Sequence, residues 1–302
     1  MGEKVLMKGN EAIGEAAIRS GCRHFFGYPI TPQTELSAYM AKKMPKINGV
    51  FLQAESEVSA INMVYGAAAA GMRTMTSSSS PGISLKAEGI SYLAAGDLPC
   101  VIVNIVRGGP GLGGIQPAQS DYFQAVKGGG HGDYHLIVLA PNSVQELAHL
   151  TAEAFNISDE YRIPTMILGD GTLGQMMEPV DLDAIPEPIY ADKPWAARGT
   201  DNKRKKNIVE TLYLEASELE KKVLEREEKY NVVKENLQRY EAHDIDDADI
   251  IISSYGITSR VVETAVKSLR EEGIKVGVIR PITLWPFPEN IFKTVKPKAF
   301  LS

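Results

Sequence analysis

Residues 100–114 read CVIVNIVRGGPGLGG, an apolar, β-branched run that ends in an arginine and a glycine-rich turn. Leu136–Leu139 and Thr165–Leu168 are similar short runs, and helical patterns occupy Glu11–Ser20 and Ser56–Ala70. Short strands that alternate with helices of this length predict a mostly parallel sheet with helices on both faces. The first part of the chain is therefore expected to have an α/β fold.

Ligands of open parallel sheets bind beyond the carboxyl ends of the strands. Three glycine-rich or serine-rich turns follow or border predicted strands: Gly27–Thr34, Ser77–Gly82 and Gly108–Gly114. A functional site is expected where these turns meet.

Three segments are predicted: a first unit over residues 1–180, a linker over 181–247, and a second α/β unit over 248–302. The linker opens with several prolines, and its stretch Lys203–Glu241 contains neither glycine nor proline. Apolar residues in that stretch follow a heptad-like spacing, which predicts one long charged helix, or a helical hairpin that breaks near Glu227–Glu228.

The second unit is predicted to contain strands at Ile250–Ser254 and Lys275–Ile279, with a helix at Ser259–Glu272 between them. Lys298–Ser302 looks like the start of a third strand. Because a parallel sheet of two strands buries little surface, we expect this unit to be truncated.

Composition excludes several classes of protein. Of 302 residues, 44% are hydrophobic and 23% charged, and 38 acidic against 32 basic residues give a net charge of −6. This balance argues against nucleic acid as the main ligand. No apolar run is long enough to cross a bilayer, and the start MGEKVLM lacks the core of a signal peptide, so we expect a cytoplasmic protein without membrane contact.

Metal and nucleotide motifs are weak. The five histidines lack paired ligand spacing and the two cysteines cannot hold a four-cysteine cluster, so no metal is expected on this chain. Gly109–Gly114 matches G-x-G-x-x-G, but Pro117 follows where a nicotinamide site needs a helix. Gly169–Gly171 opens a magnesium–diphosphate motif, yet the next asparagine, Asn202, lies beyond the prolines, which favours an ordinary turn.

Glu55 and Glu57 stand just before the almost wholly small or apolar helix VSAINMVYGAAAA, residues 58–70. Such a helix is buried on most sides, and a carboxylate at its start faces a low dielectric that keeps a proton within reach. The alternative is a capping box, with Ser56 as N-cap and Glu57 in the first turn. Spacing alone favours the cap.

Arg107 ends a predicted central strand and enters the glycine loop. A buried, unpaired guanidinium is costly, so an anion should meet it. That anion is either the neighbouring Asp121 or the carboxylate of a substrate, and the sequence leaves both open.

Several stretches closely resemble the α-type subunit of 2-oxoacid:ferredoxin oxidoreductases, which depend on thiamine diphosphate. They are YPITPQTE (28–35), QAESEVSAINMVYGAAAAG (53–71), TSSSSPGISL (76–85) and VRGGPGLGGIQPAQSD (106–121). The resemblance covers the whole chain and is strongest to the 2-oxoisovalerate, or branched-chain, type, through SSSSPGISLK and GGPGLGGIQPAQSDYFQ. It implies a pyrimidine-binding domain in the first unit and a transketolase carboxy-terminal-like domain in the second.

The resemblance also implies roles for individual residues. Glu57 matches the glutamate that activates the cofactor, and Thr31 and Arg107 match the groups that hold the carboxylate of the 2-oxoacid. No role follows for Glu55. The remaining cofactor-binding positions are Tyr28, Pro29, Ile30, Ser79 and Ser80.

The implied enzyme acts only as a complex. This chain would bind the pyrimidine end of thiamine diphosphate, and a β-type subunit would supply Mg²⁺, the diphosphate site and an iron–sulfur cluster. A γ-type and a ferredoxin-like subunit, ferredoxin, and coenzyme A as acyl acceptor complete the reaction. The alternatives are the same reaction on 2-oxoglutarate or pyruvate, or a non-catalytic scaffold subunit. The site loops offer no second cation for 2-oxoglutarate, because Lys86 and Lys127 lie at their edges.

Overall fold

The structure, a computed structural model, describes residues 4–302, and this part of the chain contains thirteen strands and ten α-helices. The first unit was predicted from residue 1, so its residues 1–3 lie outside the described range. The strands are β1 (Lys4–Lys8), β2 (His24–Gly27), β3 (Val50–Gln53), β4 (Thr74–Ser78), β5 (Val101–Val106), β6 (Ile137–Leu139), β7 (Thr165–Asp170), β8 (Met177–Asp181), β9 (Tyr240–His243), β10 (Ile250–Ser253), β11 (Val276–Pro281), β12 (Thr283–Trp285) and β13 (Ala299–Leu301). The helices are α1 (Gly9–Arg19), α2 (Thr34–Lys43), α3 (Glu57–Ala69), α4 (Pro81–Ala95), α5 (Tyr122–Val126), α6 (Val144–Tyr161), α7 (Gly171–Gln175), α8 (Ala216–Asn236), α9 (Ile257–Glu271) and α10 (Glu289–Thr294).

A seven-stranded sheet forms the centre of the first unit, in the order β12-β6-β7-β5-β4-β2-β3. All neighbours are parallel except β12, which runs antiparallel to β6. Every residue of β5 and β7 is buried, which explains why these strands read as continuous apolar runs rather than alternating ones. The predicted parallel α/β fold is confirmed, with the ends of the predicted elements shifted by at most two residues.

The carboxyl ends of β2, β4 and β5 lie side by side, because these strands are parallel neighbours in register. The turns that leave them, residues 28–33, 79–80 and 107–121, therefore converge on one edge of the sheet. Helix α3 follows β3, the next strand along, and starts at the same edge.

The second sheet has the order β13-β10-β11-β9 and therefore four strands, where two and the start of a third were expected. The third is β13, and β9 was not predicted. Strand β13 pairs parallel to β10, and β9 adds an antiparallel edge beside β11. This sheet begins at Tyr240, ahead of the division predicted at residue 248. Strand β12 leaves the second unit and pairs with β6 of the first sheet, so the two units share backbone hydrogen bonds.

The predicted helix over Lys203–Glu241 is wrong at both ends. The observed helix, α8, covers Ala216–Asn236 and is continuous through the expected break at Glu227–Glu228. Residues 207–214, NIVETLYL, are largely β-branched, aromatic or polar types of low helix propensity, and they stay extended. Spacing alone could not distinguish this extended stretch from a helical heptad.

Helix α8 buries only Tyr230 and Val233. The ring of Tyr230 packs edge-on against His135 and Trp285, and its hydroxyl accepts a hydrogen bond from His135 N at 3.0 Å. The helix is therefore fastened where β12 meets the first sheet.

Residues 182–200 begin with a short 3₁₀ helix, Leu182–Ala184, and continue as an irregular segment that is tied to the first unit by a buried ion cluster. Asp159 Oδ2 accepts from Arg73 Nε at 2.8 Å, and Asp159 Oδ1 lies 2.5 Å from Lys193 Nζ. All three side chains are less than a tenth exposed. None of the helices described here is both long and apolar enough to span a membrane.

Candidate active site

Glu57 opens helix α3, and its side chain turns into the protein. Ser56 caps the helix, because its Oγ accepts from the backbone N of Ser59 at 3.2 Å. Ser56 as N-cap and Glu57 in the first turn are both as predicted, but the Glu57 side chain takes no part in the cap. The Glu57 residue is only 5% exposed, and no hydrogen bond within residues 4–302 engages its carboxylate. Capping therefore leaves this acid free for another task.

Gly82, in the first turn of α4, makes room for Glu57. A Cβ at this position would lie 2.8 Å from Glu57 Oε1 and 2.1 Å from Ser78 Oγ. Real Cβ atoms do not approach other atoms so closely, so a larger residue would displace both side chains. The sequence SPG at residues 80–82 thus shapes a cradle around the carboxylate.

A run of buried serines lines the end of β4. Among the described residues, the Oγ atoms of Ser78 and Ser79 have no hydrogen-bond partner. Buried hydroxyls ordinarily find one, so these two are suited to a polar ligand. Ser80 differs, because its Oγ contacts Arg107 N at 3.0 Å and Arg107 O at 3.2 Å, while its N donates to Asn104 Oδ1.

Arg107 is 7% exposed and lacks an ionic partner within the described chain. Its Nη1 and Nη2 donate to the carbonyl oxygens of Thr31 and Leu112, each at 3.0 Å, and its Nε is buried without a partner. Asp121, the structural alternative, instead accepts from Asn104 Nδ2 at 3.0 Å. The guanidinium charge is therefore oriented but not neutralised, which favours an external anion.

The turn that carries Tyr28, Pro29, Ile30 and Thr31 is anchored by Gln33. Gln33 Nε2 donates to Tyr28 O at 3.3 Å, and its Oε1 accepts from Ser77 Oγ at 2.6 Å. The structure thus brings Thr31 to Arg107 through the Thr31 carbonyl, whereas Pro29 and Thr31 side chains are exposed. Ser80 contacts Arg107 directly, whereas Ser78 and Glu57 both border Gly82.

Three buried polar residues of the site were missed from the sequence. Gln33 anchors the turn, and Asn104 links Ser80 to Asp121 from within the strand VIVNIV. A single amide in a buried apolar run was the available signal, because it must be hydrogen-bonded there. Lys86 was expected at the edge of the site, but it lies wholly inside the protein.

The weak motifs prove to be ordinary turns. Residues 107–121 form turns and bends, and the helix that a dinucleotide site requires does not begin among these glycines, since α5 starts at Tyr122. Asp170 of the GDG turn caps α7, with Oδ1 accepting from the backbone N atoms of Thr172 and Leu173. Glu55 is exposed, and a hydrogen bond from Ser59 Oγ lowers the pKa of its carboxyl.

Metal-ligand geometry is confined to the second unit. Within the described residues, Glu241, His243 and Glu263 are the one group of acids, histidines or cysteines whose ligand atoms cluster, and they are largely exposed. This group lies on the second sheet and its helix α9, away from the serine-lined cradle. The site at the first sheet thus has a buried acid, a buried cation and free hydroxyls without metal ligands of this kind.

Two sequence-family profiles match the chain. The one described as pyruvate flavodoxin/ferredoxin oxidoreductase, thiamine diphosphate-binding, matches residues 15–256. The one described as pyruvate:ferredoxin oxidoreductase core domain II matches residues 248–300.

Curated relatives agree with these profiles. The ketoisovalerate oxidoreductase subunit VorB of Methanothermobacter marburgensis is 52% identical over 285 residues, covering 94% of this chain and 81% of the relative. The 2-oxoglutarate synthase subunit KorA of Methanocaldococcus jannaschii is 37% identical over 314 residues, covering 97% and 86%.

Solved structures show the same architecture. The 2-oxoglutarate:ferredoxin oxidoreductase from Magnetococcus marinus, with 2-oxoglutarate, coenzyme A and succinyl-CoA bound, matches with a TM-score of 0.88 and 30% identity. The match covers 99% of this chain but 57% of the Magnetococcus chain. A split-gene transketolase, at 14% identity and a TM-score of 0.54, shares the fold, covering 98% of this chain and 76% of its own. The profile match over most of the chain and the identities to full-length relatives lead to one conclusion: the chain belongs to the thiamine diphosphate-binding family of 2-oxoacid:ferredoxin oxidoreductase subunits.

Proposed function

We propose that this chain is the pyrimidine-binding subunit of a coenzyme A-acylating 2-oxoacid:ferredoxin oxidoreductase that oxidatively decarboxylates 2-oxoisovalerate-type, branched-chain 2-oxoacids. The observation that carries the proposal is the buried Arg107 guanidinium, which is held by two carbonyls and has no carboxylate beside it in the described chain. The VorB name of the ketoisovalerate oxidoreductase relative supports the substrate class.

The residues present fit the pyrimidine end of thiamine diphosphate. Glu57 is a buried acid whose carboxylate has no hydrogen-bond partner among the described residues, Ser78 and Ser79 offer unpartnered hydroxyls, and the missing side chain of Gly82 makes room for Glu57 and Ser78. When bound, the cofactor supplies the electron sink without which a 2-oxoacid cannot lose carbon dioxide. Glu57 would hold and exchange a proton at its Oε atoms with the pyrimidine ring.

Arg107 and Thr31 would hold the carboxylate of the 2-oxoacid. Their contact already orients the guanidinium, so that substrate binding requires little rearrangement. Tyr28, Pro29 and Ile30 belong to the turn beside this contact and would line the cofactor. For Ser80 we propose a positioning role, because its hydroxyl is engaged by the Arg107 backbone.

Branched-chain acids suit the charge of the site better than 2-oxoglutarate does. A second substrate carboxylate would need a second cation, and the nearby Lys86 is enclosed beneath the site, where its amine donates to Thr76 Oγ1 and Ser77 O. The same chemistry on 2-oxoglutarate remains the alternative that the KorA relatives support.

Electron transfer is assigned to partner subunits. Burial raises the pKa of the Cys22 thiol to about 12 and also raises that of Cys100, so neither is suited to bind a cluster as a thiolate. We propose that a β-type subunit holds Mg²⁺, the diphosphate and an iron–sulfur cluster. A γ-type and a ferredoxin-like subunit, ferredoxin and coenzyme A complete the reaction.

The remaining assignments follow from that function. We propose a cytoplasmic complex of anaerobic metabolism. Its pyrimidine-binding domain would cover residues 1–180, its linker 181–247, and a transketolase carboxy-terminal-like domain 248–302.

The test is to tag the chain, isolate it anaerobically from its own cells and assay what co-purifies. The readout is coenzyme A-dependent reduction of a viologen dye with 2-oxoisovalerate, 2-oxoglutarate, pyruvate or an aryl pyruvate. Highest activity with 2-oxoisovalerate, together with an iron–sulfur partner, is the expected result. Highest activity with another acid would correct the substrate class alone. A colourless chain without a partner or dye reduction would overturn the catalytic role in favour of a scaffold subunit.

A further inference from the structure

Helices α3 and α4 approach each other most closely along one stripe of each helix. A Cβ at Gly82 of α4 would lie 2.8 Å from Glu57 Oε1 of α3, and a Cβ at Gly89 would lie 2.5 Å from Ile61 Cγ2. Ile61 is four residues beyond Glu57, so both contacts use the same face of α3. The two glycines therefore mark a tight helix–helix interface that starts at the active-site acid.

Lys86 lies on this interface. It is four residues after Gly82 and three before Gly89, which places it on the same face of α4, between the two close contacts. The residue is 0% exposed. Its Nζ donates to Thr76 Oγ1 at 2.6 Å and to Ser77 O at 3.1 Å, both at the end of β4.

The surroundings of Lys86 contain one opposite charge. Burial lowers the pKa of the Lys86 amine to about 7, and the carboxylate of Glu57 opposes that decrease. Among the described residues the amine has no salt-bridge partner within 4.0 Å, and its two hydrogen-bond partners are neutral. A buried lysine is unfavourable unless its charge is used or compensated, and Glu57 is the group that compensates it.

We propose that Lys86 is a positioning residue for Glu57: its ammonium is the counter-charge that stabilises the Glu57 carboxylate when that acid gives up its proton. The proposal rests on the catalytic role proposed for Glu57. Because Thr76 and Ser77 hold the amine from the strand, Lys86 acts through its charge and does not itself touch the substrate. Removing Lys86 would take away an opposite charge on the neighbouring helix, and the loss of a nearby opposite charge favours the protonated form of a carboxyl group.

The first test is the pH profile of kcat/KM in the assembled enzyme. In Lys86→Met, an unbranched replacement of similar length, the acid limb should move to higher pH by about one unit, the usual effect of losing a nearby opposite charge. Lys86→Gln keeps a donor for Thr76 and Ser77 but removes the charge, and it should show the same displacement. A uniform loss of activity with an unmoved limb would assign Lys86 to packing and overturn the proposal.

Lys193→Met is the matched control. Lys193 is also buried and paired with a carboxylate, Asp159, but at the linker rather than at the active site. Its removal should leave the acid limb in place even if stability falls. An equal displacement in Lys193→Met would show that the effect is not specific to Lys86.

A second readout needs no turnover. Difference infrared spectra between cofactor-free wild-type and Glu57→Gln complexes isolate the absorption of the protonated Glu57 carboxyl. The pH at which this band disappears should be about one unit higher in the Lys86→Met background. If Glu57→Gln keeps full turnover, the proposed function fails, although the coupling can still be measured. If Glu57→Gln is inactive but the band does not move with Lys86→Met, the inference on Lys86 fails alone.

Discussion

The Glu57 carboxylate occupies space that any side chain at position 82 would need. Glu57 Oε1 lies only 2.8 Å from the position that a Cβ atom at residue 82 would take, so Gly82 is the residue that fits there. The acid at the start of α3 thus depends on the missing side chain at the start of α4. Ser78 shares this restriction, because its Oγ would be 2.1 Å from the same atom.

Gly82→Ala should therefore remove most activity of the assembled enzyme, because the added methyl group displaces Glu57 and Ser78. Dye reduction in the purified complex measures the effect. Gly66→Ala in α3 is the matched control, since a Cβ there meets nothing within 4 Å. That change should leave the free energy of unfolding unchanged or raise it by roughly 0.5–1 kcal/mol. Full activity of Gly82→Ala would show that the cradle is not needed.

Glu57→Gln should abolish turnover while the complex still assembles, because glutamine keeps the shape of the side chain but cannot exchange a proton. We expect a decrease of at least about 100-fold, typical of a lost acid–base group. Subunit composition by gel filtration and dye reduction are measured on the same preparation. Turnover equal to that of the wild type would remove Glu57 from the mechanism.

Arg107→Ala should mainly raise the apparent KM for the 2-oxoacid, by roughly 10- to 100-fold, because a charge-assisted contact to the substrate carboxylate is lost. Arg107→Lys should recover part of this loss, since it keeps the charge but not the forked geometry. Arg226→Ala is a suitable control, because Arg226 also has an unpartnered Nε. It lies on α8 and donates to the carbonyl of Ala95 at the end of α4. An unchanged KM in Arg107→Ala would reassign this residue to holding the loop.

Asp159→Asn should lower the free energy of unfolding by about 3 kcal/mol, because it leaves the buried Arg73 and Lys193 without their shared carboxylate. Denaturant unfolding of the chain provides the measurement. Glu88→Gln, which changes an exposed carboxylate, should have little effect. Equal stability of the two variants would mean that the cluster does not hold the linker.

The stability of the chain should rise with pH from 7 to about pH 8.5, through Lys86. Burial lowers the pKa of this amine to about 7 in the folded state, whereas the unfolded chain holds the proton to much higher pH. The unfolded state therefore binds more protons in this window, and the free energy of unfolding increases by at most about 1.4 kcal/mol per pH unit. Melting temperatures of wild type and Lys86→Met across the window test this, and the rise should be absent from the variant. The upper limit avoids the buried thiols, whose raised pKa values act in the opposite direction.

Strands β5, β6 and β7 of the first sheet could be predicted because they are buried and read as unbroken apolar runs. Strands β2 and β4 were indicated only by the turns that border them, since β4 is buried but reads TMTSS, and the mostly exposed β3 was not predicted. Strands β1 and β8 were not predicted, since their exposed and buried residues follow no clear alternation. Strand β12 was hidden in a proline-rich loop, and only long-range pairing with β6 makes it a strand. The end of the linker helix was missed for a similar reason, because Tyr240 continues the apolar spacing but pairs with Pro281 in the second sheet.

Parts of the candidate site could be predicted where a charged residue stands next to an element that the sequence predicts to be buried. Arg107 after a buried strand and Glu57 before an apolar helix could be singled out as candidates in this way, but spacing alone favoured a helix cap for Glu57 and left the anion of Arg107 open. Their proposed roles came from the family resemblance. Lys86 was not, because a lysine in a helix reads from the sequence as a surface residue. The structure exposes the preceding leucine and buries the lysine. Its burial depends on the close approach of α3 and α4, which no local pattern encodes.

Strand β12 has a consequence for the newly made chain. The first sheet ends at β6, whose outer edge is paired only by Thr283–Trp285, residues that follow the linker, α8 and most of the second unit. During synthesis this edge is open until the ribosome has released those residues, and an unpaired apolar strand such as Ile137–Leu139 is a template for wrong pairing with other chains. We therefore expect nascent chains stopped before residue 283 to need a chaperone or to aggregate. Chains extended past residue 285 should neither need the chaperone nor aggregate.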